Sequence, residues 1–561
     1  MFNITHKASV KRYGAERSVK AQYKEIKSLW ENNTFQGVLP KNISNARRKK
    51  VIRSFMILRE KFDAEGNFEK MKARLVANGA QMDSANIDAS SPTISLSFLF
   101  IMACIGASED REVSTMDVGN AFVKASMDSQ DEVLVTLDKL SAAILVKIDP
   151  SFEKFIDAKD EITVKLNKAL YGCVQSARLW FEMLIAELKS NGYEQNPIDP
   201  CVLNKVDNGL QSTVLVHVDD MKVLSQIPGE CKRLHANLEA KFGKVTLHEG
   251  SKHNYLGMTF EYGNGEVCVT MSGYEQSLVN DWIDINIDLL TNRDATAATP
   301  AANSIFEKGD SKLLDQVNAG IFHSYVMRLA YLAKRVKPEL SVAISYLSTQ
   351  VTKPNIDDLK KLDRAIRYVR DHLGQGIRLR SKCKDKGIVV TAHIDASFGC
   401  HDNGKSHTGV CVSLGDGPVF VRSVKQRIVT KSSTEAELVA LSDEAGVVFH
   451  IEEFLSAQGY KCVSVIGQDN QSTIAMISEK TKESMRTRHI KVRYFWLRER
   501  IKRKEINLLY VPTGKMLADM LTKPMQGNMF RSFLNNFCCR NNVIFTNDVA
   551  PKLRVNIKGV R

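Results

Sequence analysis

The sequence predicts an α+β protein of two to four domains, with an α/β domain near its carboxyl end. The 561 residues exceed the size of one ordinary hydrophobic core. Strand-like and helix-like apolar periods are mixed along the earlier part of the chain. From about residue 388 the patterns of strand, strand, helix, strand and helix follow in order to about residue 521, which is typical of an α/β domain with its own core.

The composition is that of a folded, basic protein. The chain has 78 Lys and Arg residues against 64 Asp and Glu residues, which gives a net charge of +14. This excess suits a polyanionic partner such as nucleic acid, and it suits a generally basic surface equally well. The 11 cysteines lack the paired spacing of a zinc site, which predicts reduced, intracellular thiols. The longest apolar run, residues 95–107, is too short to span a membrane.

The first elements are strands and one buried helix. Residues 51–79 predict two strands about a turn at 63–67, because β-branched and aromatic residues flank Gly66. Residues 95–106 predict a buried helix. The following segment, VSTMDVGNAF, predicts a strand end that runs into a turn and a short helix.

The middle of the chain predicts a helix and then a hairpin. Residues 169–191 carry apolar side chains at helical spacing, with a glycine at Gly172. In VLVHVDDMKVL two apolar runs meet at Asp219 and Asp220, which is the pattern of a tight hairpin. Two adjacent acids between apolar strands repel each other, so a cation or solvent must compensate them. The alternative is a plain hairpin turn, in which Asp is a favoured residue.

The later elements are helices followed by the α/β series. Residues 291–304 are rich in small residues and predict a linker near a domain boundary. Helical patterns occupy residues 325–346 and 355–372. In the α/β series the acids fall at element ends, where Asp395 closes an apolar strand, Glu435 opens a helix and Asp469 follows a strand. Asp519 lies in the segment VPTGKMLADMLTKP.

These acids match the needs of two-metal phosphoryl chemistry. Magnesium prefers hard carboxylate oxygens, so acids from separate elements must converge. The first half offers Asp117 at a strand end together with the Asp219 and Asp220 pair. In the second half, two acids have a helix-capping alternative. Glu435 stands in a capping-box pattern with Ser432, and Asp469 precedes a helix.

Four blocks of the first half, taken in order, resemble the copia-type reverse transcriptase family. They are KARLVA from Lys72 with Gly79, DVGNAF from Asp117, KLNKALYG from Lys165 with Gln175, Arg178, Leu179 and Trp180 beyond it, and VDD from Val218. Four ordered matches are far more specific than any one of them. The chain departs from the family at His217, Ala177, Lys124 and Ala125, where tyrosine, proline, asparagine and glycine are usual. None of these departures removes a metal ligand.

The resemblance implies a role for each matched residue of the first half. The metal ligands are Asp117, Asp219 and Asp220. The resemblance also implies nucleotide-binding residues, namely Lys72, Arg74, Phe122 and Gln175. Phe122 would lie under the sugar where a ribose 2′-hydroxyl clashes, and the two basic residues would bind the triphosphate. The alternatives are a core phenylalanine, a solvated basic strand face and a surface or capping glutamine.

The acid-bearing blocks of the second half resemble the ribonuclease H that follows the reverse transcriptase in copia-type elements. The segments RHI at 488–490 and LADMLTKP at 517–524 add to this match. The resemblance implies the metal-binding set Asp395, Glu435, Asp469 and Asp519. Two Mg²⁺ ions are expected in each of the two active sites. Selection of the RNA strand is expected to depend on 2′-hydroxyls and helix shape.

The resemblance covers about residues 23–525 and implies a domain order. We expect an N-terminal extension over 1–22, a right-hand polymerase with fingers and palm over 23–270, a thumb and connection over 271–386, a ribonuclease H-like domain over 387–525, and a basic tail over 526–561. No segment resembles the family's capsid, protease or integrase parts, so a truncated or degenerate polyprotein is expected.

The implied activities are RNA-directed DNA polymerisation and degradation of RNA in RNA–DNA hybrids. The expected partners are an RNA template, a DNA primer, the hybrid, deoxynucleoside triphosphates and other element-encoded proteins, and no membrane is expected. The expected location is the cytoplasm, within virus-like particles, and also the nucleus. The alternative is a catalytically inactive relic or a host-recruited nucleic-acid-binding protein.

Overall fold

The computed structural model is a mixed α+β structure with two compact units. It describes residues 3–4, 14–62, 68–82, 88–127, 132–285, 287–290, 293–381, 387–478 and 491–539. The first unit consists of Met1–Glu266, Ser381–Val389 and Val447–Val463. The second unit consists of Val267–Arg380, Val390–Gly446 and Ser464–Arg561. In the described part of the chain, no helix combines the length and the apolar character needed to cross a membrane.

The helices and strands are numbered in chain order. The helices are α1 (Ala15–Glu31), α2 (Asn45–Arg48), α3 (Leu96–Ser108), α4 (Lys139–Ile148), α5 (Ser176–Ser190), α6 (Glu230–Phe242), α7 (Ser272–Asp284), α8 (Gln316–Ala333), α9 (Ser341–Gln350), α10 (Ile356–Asp371), α11 (Ser433–Ala457), α12 (Gln471–Ile477), α13 (Lys491–Lys502) and α14 (Gly527–Leu534). The strands are β1 (Asn3–Ile4), β2 (Phe35–Gly37), β3 (Ile52–Phe62), β4 (Phe68–Ala77), β5 (Glu112–Val118), β6 (Leu134–Leu137), β7 (Ile162–Leu166), β8 (Glu194–Gln195), β9 (Val202–Asp207), β10 (Leu210–His217), β11 (Asp220–Ser225), β12 (Val245–Glu249), β13 (Lys252–Tyr255), β14 (Met258–Gly263), β15 (Glu266–Thr270), β16 (Gly376–Ser381), β17 (Gly387–Ser397), β18 (His407–Ser413), β19 (Gly415–Asp416), β20 (Pro418–Lys425), β21 (Lys461–Gln468), β22 (Asn507–Tyr510) and β23 (Cys538–Cys539).

Two sheets organise the first unit. One has the strand order β1-β3-β6-β7-β2, with β4 also paired to β3, and the other has the order β12-β5-β11-β10-β9-β8. Helix α3 packs against the second sheet so closely that a Cβ atom on Gly106 would lie 2.4 Å from Leu224 Cδ2. Residues 98–107 of α3 are all buried, which confirms the buried helix predicted there.

The predicted pair of strands around residue 65 is also present. Strands β3 and β4 are antiparallel, with Arg59 opposite Lys72 and Ile57 opposite Arg74. The predicted turn at 63–67 lies outside the described residues. Helix α1, which was not predicted from the sequence, buries Ala21, together with Leu58 of β3 and Ala73 of β4.

Two predicted helices have different limits in the structure. The helix predicted over 169–191 begins only at Ser176, because Gly172 has φ +90° and belongs to a tight turn. The backbone there lies against β4, where Ala77 N donates to Tyr171 O at 2.7 Å. The helix predicted over 325–346 is divided into α8 and α9, since Pro338 starts a separate short 3₁₀ turn between them.

The second unit contains helices α7 to α10 and a five-stranded sheet. The sheet has the order β20-β18-β17-β21-β22, in which β21 and β22 are parallel while β18 is antiparallel to both its neighbours. The predicted series of strand, strand, helix, strand and helix is present as β17, β18, α11, β21 and α12. Strands β20 and β22 are additions that the sequence pattern did not indicate.

Candidate active sites

The predicted hairpin at the acidic pair is present in the first unit. Strands β10 and β11 pair so that His217 lies opposite Asp220, which leaves Val218 and Asp219 in the turn. Val218 has φ +60°, a conformation that is strained for a β-branched residue. Trp180 of α5 donates a hydrogen bond from Nε1 to Val218 O at 2.7 Å. The helix therefore holds the strained turn in place.

The three predicted aspartates of the first half converge at this turn. Asp117 lies opposite Asp220 in the antiparallel register of β5 and β11. Val118 N donates to Asp219 O at 3.3 Å. The pKa of Asp219 is raised by burial and then by the charge of Asp117, although nearby Lys72 and Arg74 lower it. The structure therefore places the three aspartates on adjoining backbone segments, with Lys72 and Arg74 close enough to lower the pKa of Asp219.

An aromatic pair connects the basic strand to this site. The Arg74 guanidinium lies over the ring of Tyr171, with Cζ 4.4 Å from the ring centroid. Phe122 meets the same ring edge-on, with the two centroids 4.6 Å apart. Burial raises the pKa of Tyr171 to about 12, and Asp219 and Asp117 also raise it. Tyr171 thus contacts two of the predicted nucleotide-binding residues, a role that the sequence did not indicate.

Glu25 of α1 is a second residue that sequence reasoning missed. Its Oε1 accepts a hydrogen bond from Leu75 N at 3.1 Å. Burial raises the pKa of Glu25, while Arg74 and Lys72 lower it. The carboxylate therefore lies close to the strand that carries both basic residues. No sequence pattern pointed to Glu25, because helix α1 itself was not predicted.

Gln175 is buried next to the turn that precedes α5. The residue is 1% exposed, and neither its Oε1 nor its Nε2 has a hydrogen-bond partner among the described residues. Although it precedes α5, its side chain makes no capping hydrogen bond. The surface and capping alternatives are therefore both wrong for this glutamine. A buried amide without hydrogen-bond partners costs folding free energy, which fits a side chain that forms its hydrogen bonds with a bound ligand.

The second unit brings together three of the four predicted acids. Asp395 lies on β17, Asp469 follows β21, and Asp519 lies in a 3₁₀ turn. One carboxylate oxygen from each residue lies within 4.8 Å of the other two. Three hard oxygen donors at this spacing suit a divalent cation such as Mg²⁺. We call these three residues the second carboxylate cluster.

Neighbouring side chains compensate part of the charge of the second carboxylate cluster. Burial and the charge of Asp395 raise the pKa of Asp519 to about 7, against the lowering effect of Lys523. Burial by itself would lower the pKa of Lys523, but the two aspartates raise it above its ordinary value. Thr522 Oγ1 donates to Asp395, and Thr513 Oγ1 donates to Asp469 Oδ2 at 2.9 Å.

Glu435 is not part of this cluster, and the assignment made from the sequence requires correction. Its Oε2 accepts a hydrogen bond from Lys431 N at 2.8 Å, and its own N donates to Ser432 Oγ at 3.3 Å. These two bonds cap the start of α11, as the alternative interpretation held.

Glu437 is the acid of α11 that faces the cluster. Burial, together with the charges of Asp395 and Asp469, raises the pKa of Glu437 to about 9. Gln468 Nε2 donates to its Oε2 at 3.2 Å. The resemblance implied the metal-binding role for the first glutamate of STEAEL, whereas the second one lies close to Asp395 and Asp469. A helix turns by about 200° in two residues, so the two side chains point in different directions.

The capping alternative fails for Asp469. Helix α12 is capped by Asn470, whose Oδ1 accepts a hydrogen bond from Thr473 N at 2.9 Å. The Asp469 carboxylate is therefore available to the cluster. The segment at 488–490, which added to the resemblance, lies outside the described residues.

Comparisons with known proteins agree with the resemblance. Residues 37–299 match the family model described as "Reverse transcriptase (RNA-dependent DNA polymerase)". The chain is 26% identical over 524 residues to the retrovirus-related Pol polyprotein from transposon TNT 1-94 of Nicotiana tabacum, covering 91% of this chain and 37% of the relative. It is 26% identical over 486 residues to the Pol polyprotein from transposon RE1 of Arabidopsis thaliana, covering 85% of this chain and 31% of the relative.

More distant similarities extend over most of the chain. The transposon Ty1-DR5 Gag-Pol polyprotein of Saccharomyces cerevisiae is 22% identical over 548 residues, covering 95% of this chain and 29% of the relative. A solved foamy viral protease-reverse transcriptase in complex with double-stranded DNA has a TM-score of 0.47 at 11% identity, covering 91% of this chain and 81% of that chain. The chain spans about a third of the length of the curated relatives it matches.

Proposed function

We propose that this chain is the polymerase part of a copia-type retrotransposon Pol polyprotein, a reverse transcriptase followed by a ribonuclease H. The observation that carries the first activity is the convergence of Asp117, Asp219 and Asp220 at a hairpin faced by Lys72 and Arg74. The reaction is the addition of deoxynucleotides to a primer 3′-hydroxyl on RNA and DNA templates, with release of pyrophosphate.

The residues of the first site have distinct roles in this reaction. Asp117, Asp219 and Asp220 would hold two Mg²⁺ ions, which supply activation of the hydroxyl and stabilisation of the developing charge. Lys72 and Arg74 attract and orient the triphosphate, because fixed positive charges lower the energy of the negative charge that develops there.

Two further side chains select the nucleotide. Phe122 excludes the ribose 2′-hydroxyl, and it is supported by the ring of Tyr171. Gln175 presents a buried amide with unpaired donor and acceptor atoms to the nucleotide or template. The rejection of a ribonucleotide is then steric, since a rigid aromatic contact leaves little room for the extra oxygen.

We further propose that the second carboxylate cluster, completed by Glu437, cleaves RNA in RNA–DNA hybrids. The four acids are Asp395, Glu437, Asp469 and Asp519. With two Mg²⁺ bound, the site would activate a water molecule and stabilise the leaving oxygen, so that the products carry 3′-hydroxyl and 5′-phosphate ends. Thr522 and Thr513 orient the carboxylates through their hydroxyl groups.

The domain order expected from the resemblance forms part of the proposal. Fingers and palm would occupy 23–270, thumb and connection 271–386, and the ribonuclease H 387–525. The proposed partners are the template RNA, the DNA primer, the hybrid and deoxynucleoside triphosphates. Residues 37–299, which match the reverse transcriptase family, contain all seven assigned residues of the first site.

A primer-extension assay with the purified chain, Mg²⁺ and RNA or DNA templates tests the first activity. We expect Asp219→Asn to abolish synthesis while cleavage of a labelled RNA–DNA hybrid continues, and we expect Asp395→Asn to have the reverse effect. A wild-type chain without either activity would instead support an inactive nucleic-acid-binding relic. If either variant kept its targeted activity at the wild-type rate, the corresponding assignment would be wrong.

A further inference from the structure

Lys523 places a positive charge inside the second carboxylate cluster. Its Nζ lies 2.6 Å from Asp519 Oδ1 and 3.5 Å from Asp395 Oδ2. The two aspartate side chains are almost completely buried, whereas the lysine side chain is 40% exposed. The ammonium group therefore reaches the cluster from the solvent side.

The local backbone directs this lysine to the cluster. Lys523 N donates to Asp519 O at 2.9 Å, an α-type bond that closes one turn at the end of the 3₁₀ turn Leu517–Leu521. The adjacent Thr522 donates its hydroxyl hydrogen to Asp395. This single α-type turn brings the two side chains to the same side, where Lys523 Nζ contacts Asp519 Oδ1. The charge is thus positioned by the same short segment that supplies one of the acids.

The ammonium group and a divalent cation need the same oxygens. A Mg²⁺ or Mn²⁺ ion bound by the cluster would bond to carboxylate oxygens at close range, and Lys523 already occupies Asp519 Oδ1. Two cations a few ångströms apart in a buried site repel each other strongly. The lysine must therefore move away from Asp519 when the ion enters.

We propose that Lys523 is a displaceable counter-ion of the second carboxylate cluster. In the metal-free chain its ammonium group neutralises Asp395 and Asp519, and it competes with the divalent cation for their oxygens. The metal affinity of the cluster is consequently lower than the acids alone would provide. This inference rests on the proposed ribonuclease H function, because it requires the cluster to bind a divalent cation.

The opposite role would be that of a fixed positioning residue that keeps the acids in a metal-binding arrangement. The two roles predict opposite signs when the charge is removed. Loss of a competitor tightens metal binding, whereas loss of a positioning residue weakens it. Arginine keeps the charge, and methionine and glutamine keep much of the stem without it, so the chain offers matched variants.

The experiment measures Mn²⁺ binding by isothermal titration calorimetry to the full chain. Asp219→Asn and Asp220→Asn are present in every sample, so that the first site does not contribute. The samples compared are this parent and its Lys523→Met, Lys523→Gln, Lys523→Arg and Asp519→Asn derivatives. We expect Lys523→Met and Lys523→Gln to tighten binding about tenfold or more, because a nearby like charge is removed. Lys523→Arg should bind as the parent does.

Thermal unfolding provides a second readout that does not depend on activity. Without metal, Lys523→Met should unfold at a lower temperature than the parent, since the buried aspartates lose their counter-ion. Mn²⁺ should then raise its unfolding temperature by more than it raises that of the parent. A variant that still shows a cooperative transition has folded, and its affinity can be compared.

Three outcomes decide whether Lys523 is a displaceable counter-ion. Tighter binding in both neutral variants supports the proposal. Unchanged or weaker binding, in a parent whose Mn²⁺ affinity depends on Asp519, overturns the counter-ion role and leaves the ribonuclease H assignment intact. If neither the parent nor the two neutral variants bind Mn²⁺ at this cluster, both the counter-ion role and the assignment are overturned.

Discussion

Glu435 and Glu437 lie only two residues apart on α11, but their surroundings are entirely different. Glu435 accepts a backbone hydrogen bond at the helix start, whereas Glu437 is buried and close to the charges of Asp395 and Asp469. The motif STEAEL contains both, and residue type alone does not distinguish them. Only the direction of each side chain assigns one to capping and the other to the proposed metal site.

Exchange of each glutamate for glutamine separates these roles. We expect Glu437→Gln to lower the rate of RNA–DNA hybrid cleavage by about 100-fold or more, because an amide replaces a carboxyl group that would become a ligand of Mg²⁺. Glu435→Gln, the matched control, should leave the cleavage rate close to that of the wild type. Its measurable effect should be a loss of helix stability of about 1 kcal/mol or less. Comparable cleavage rates for the two variants would contradict the choice of Glu437 over Glu435 as the acid of the second site.

Among the elements, the turn that precedes α5 shows how a local backbone requirement shapes a site. Gly172 has φ +90°, and a Cβ atom on it would lie 2.0 Å from Ala77 O. The turn therefore lies directly against the end of β4, the strand that carries Lys72 and Arg74. The same turn delivers Tyr171 to Arg74 and Gln175 to its buried position.

Substitution of this glycine should damage the first site selectively. We expect Gly172→Ala to lower the unfolding free energy by about 2 kcal/mol or more and to abolish primer extension, because both the φ angle and the clash oppose a side chain. Hybrid cleavage should continue. Gly209→Ala is the matched control, since Gly209 has φ +80° but a Cβ atom there would meet nothing within 4 Å. Equal losses in the two variants would show that the clash with β4 has no role.

At the scale of the whole molecule, a buried lysine on β11 bears on stability. Lys222 is 0% exposed, and its Nζ has no hydrogen-bond partner among the described residues. The rings of Phe260 and Tyr262 surround it, with centroids 4.3 Å and 4.9 Å from Nζ. Burial lowers the pKa of Lys222 from 10.5 to about 7. A neutral side chain would suit this position better than a charged one.

This lowered pKa makes stability depend on pH with a definite sign. Between about pH 7 and pH 10 the unfolded chain binds one more proton at Lys222 than the folded chain does, so stability should rise with pH by up to about 1.4 kcal/mol per unit. Lys222→Met should remove this rise and increase the unfolding free energy near pH 7 by about 1–4 kcal/mol. Urea unfolding at several pH values measures both effects. A variant less stable than the wild type near pH 7 would show that the ring contacts outweigh desolvation.

The sequence by itself determined the family resemblance, the main strands and helices, and six of the seven acids assigned to the two sites. It could do so because turn residues, apolar periods and ordered motifs are local properties. The tertiary structure decided the rest. It selected Glu437 over Glu435, began α5 at Ser176, and brought Glu25 and Tyr171 to the first site. These facts depend on side-chain direction and on contacts between segments distant in sequence, which no local pattern contains.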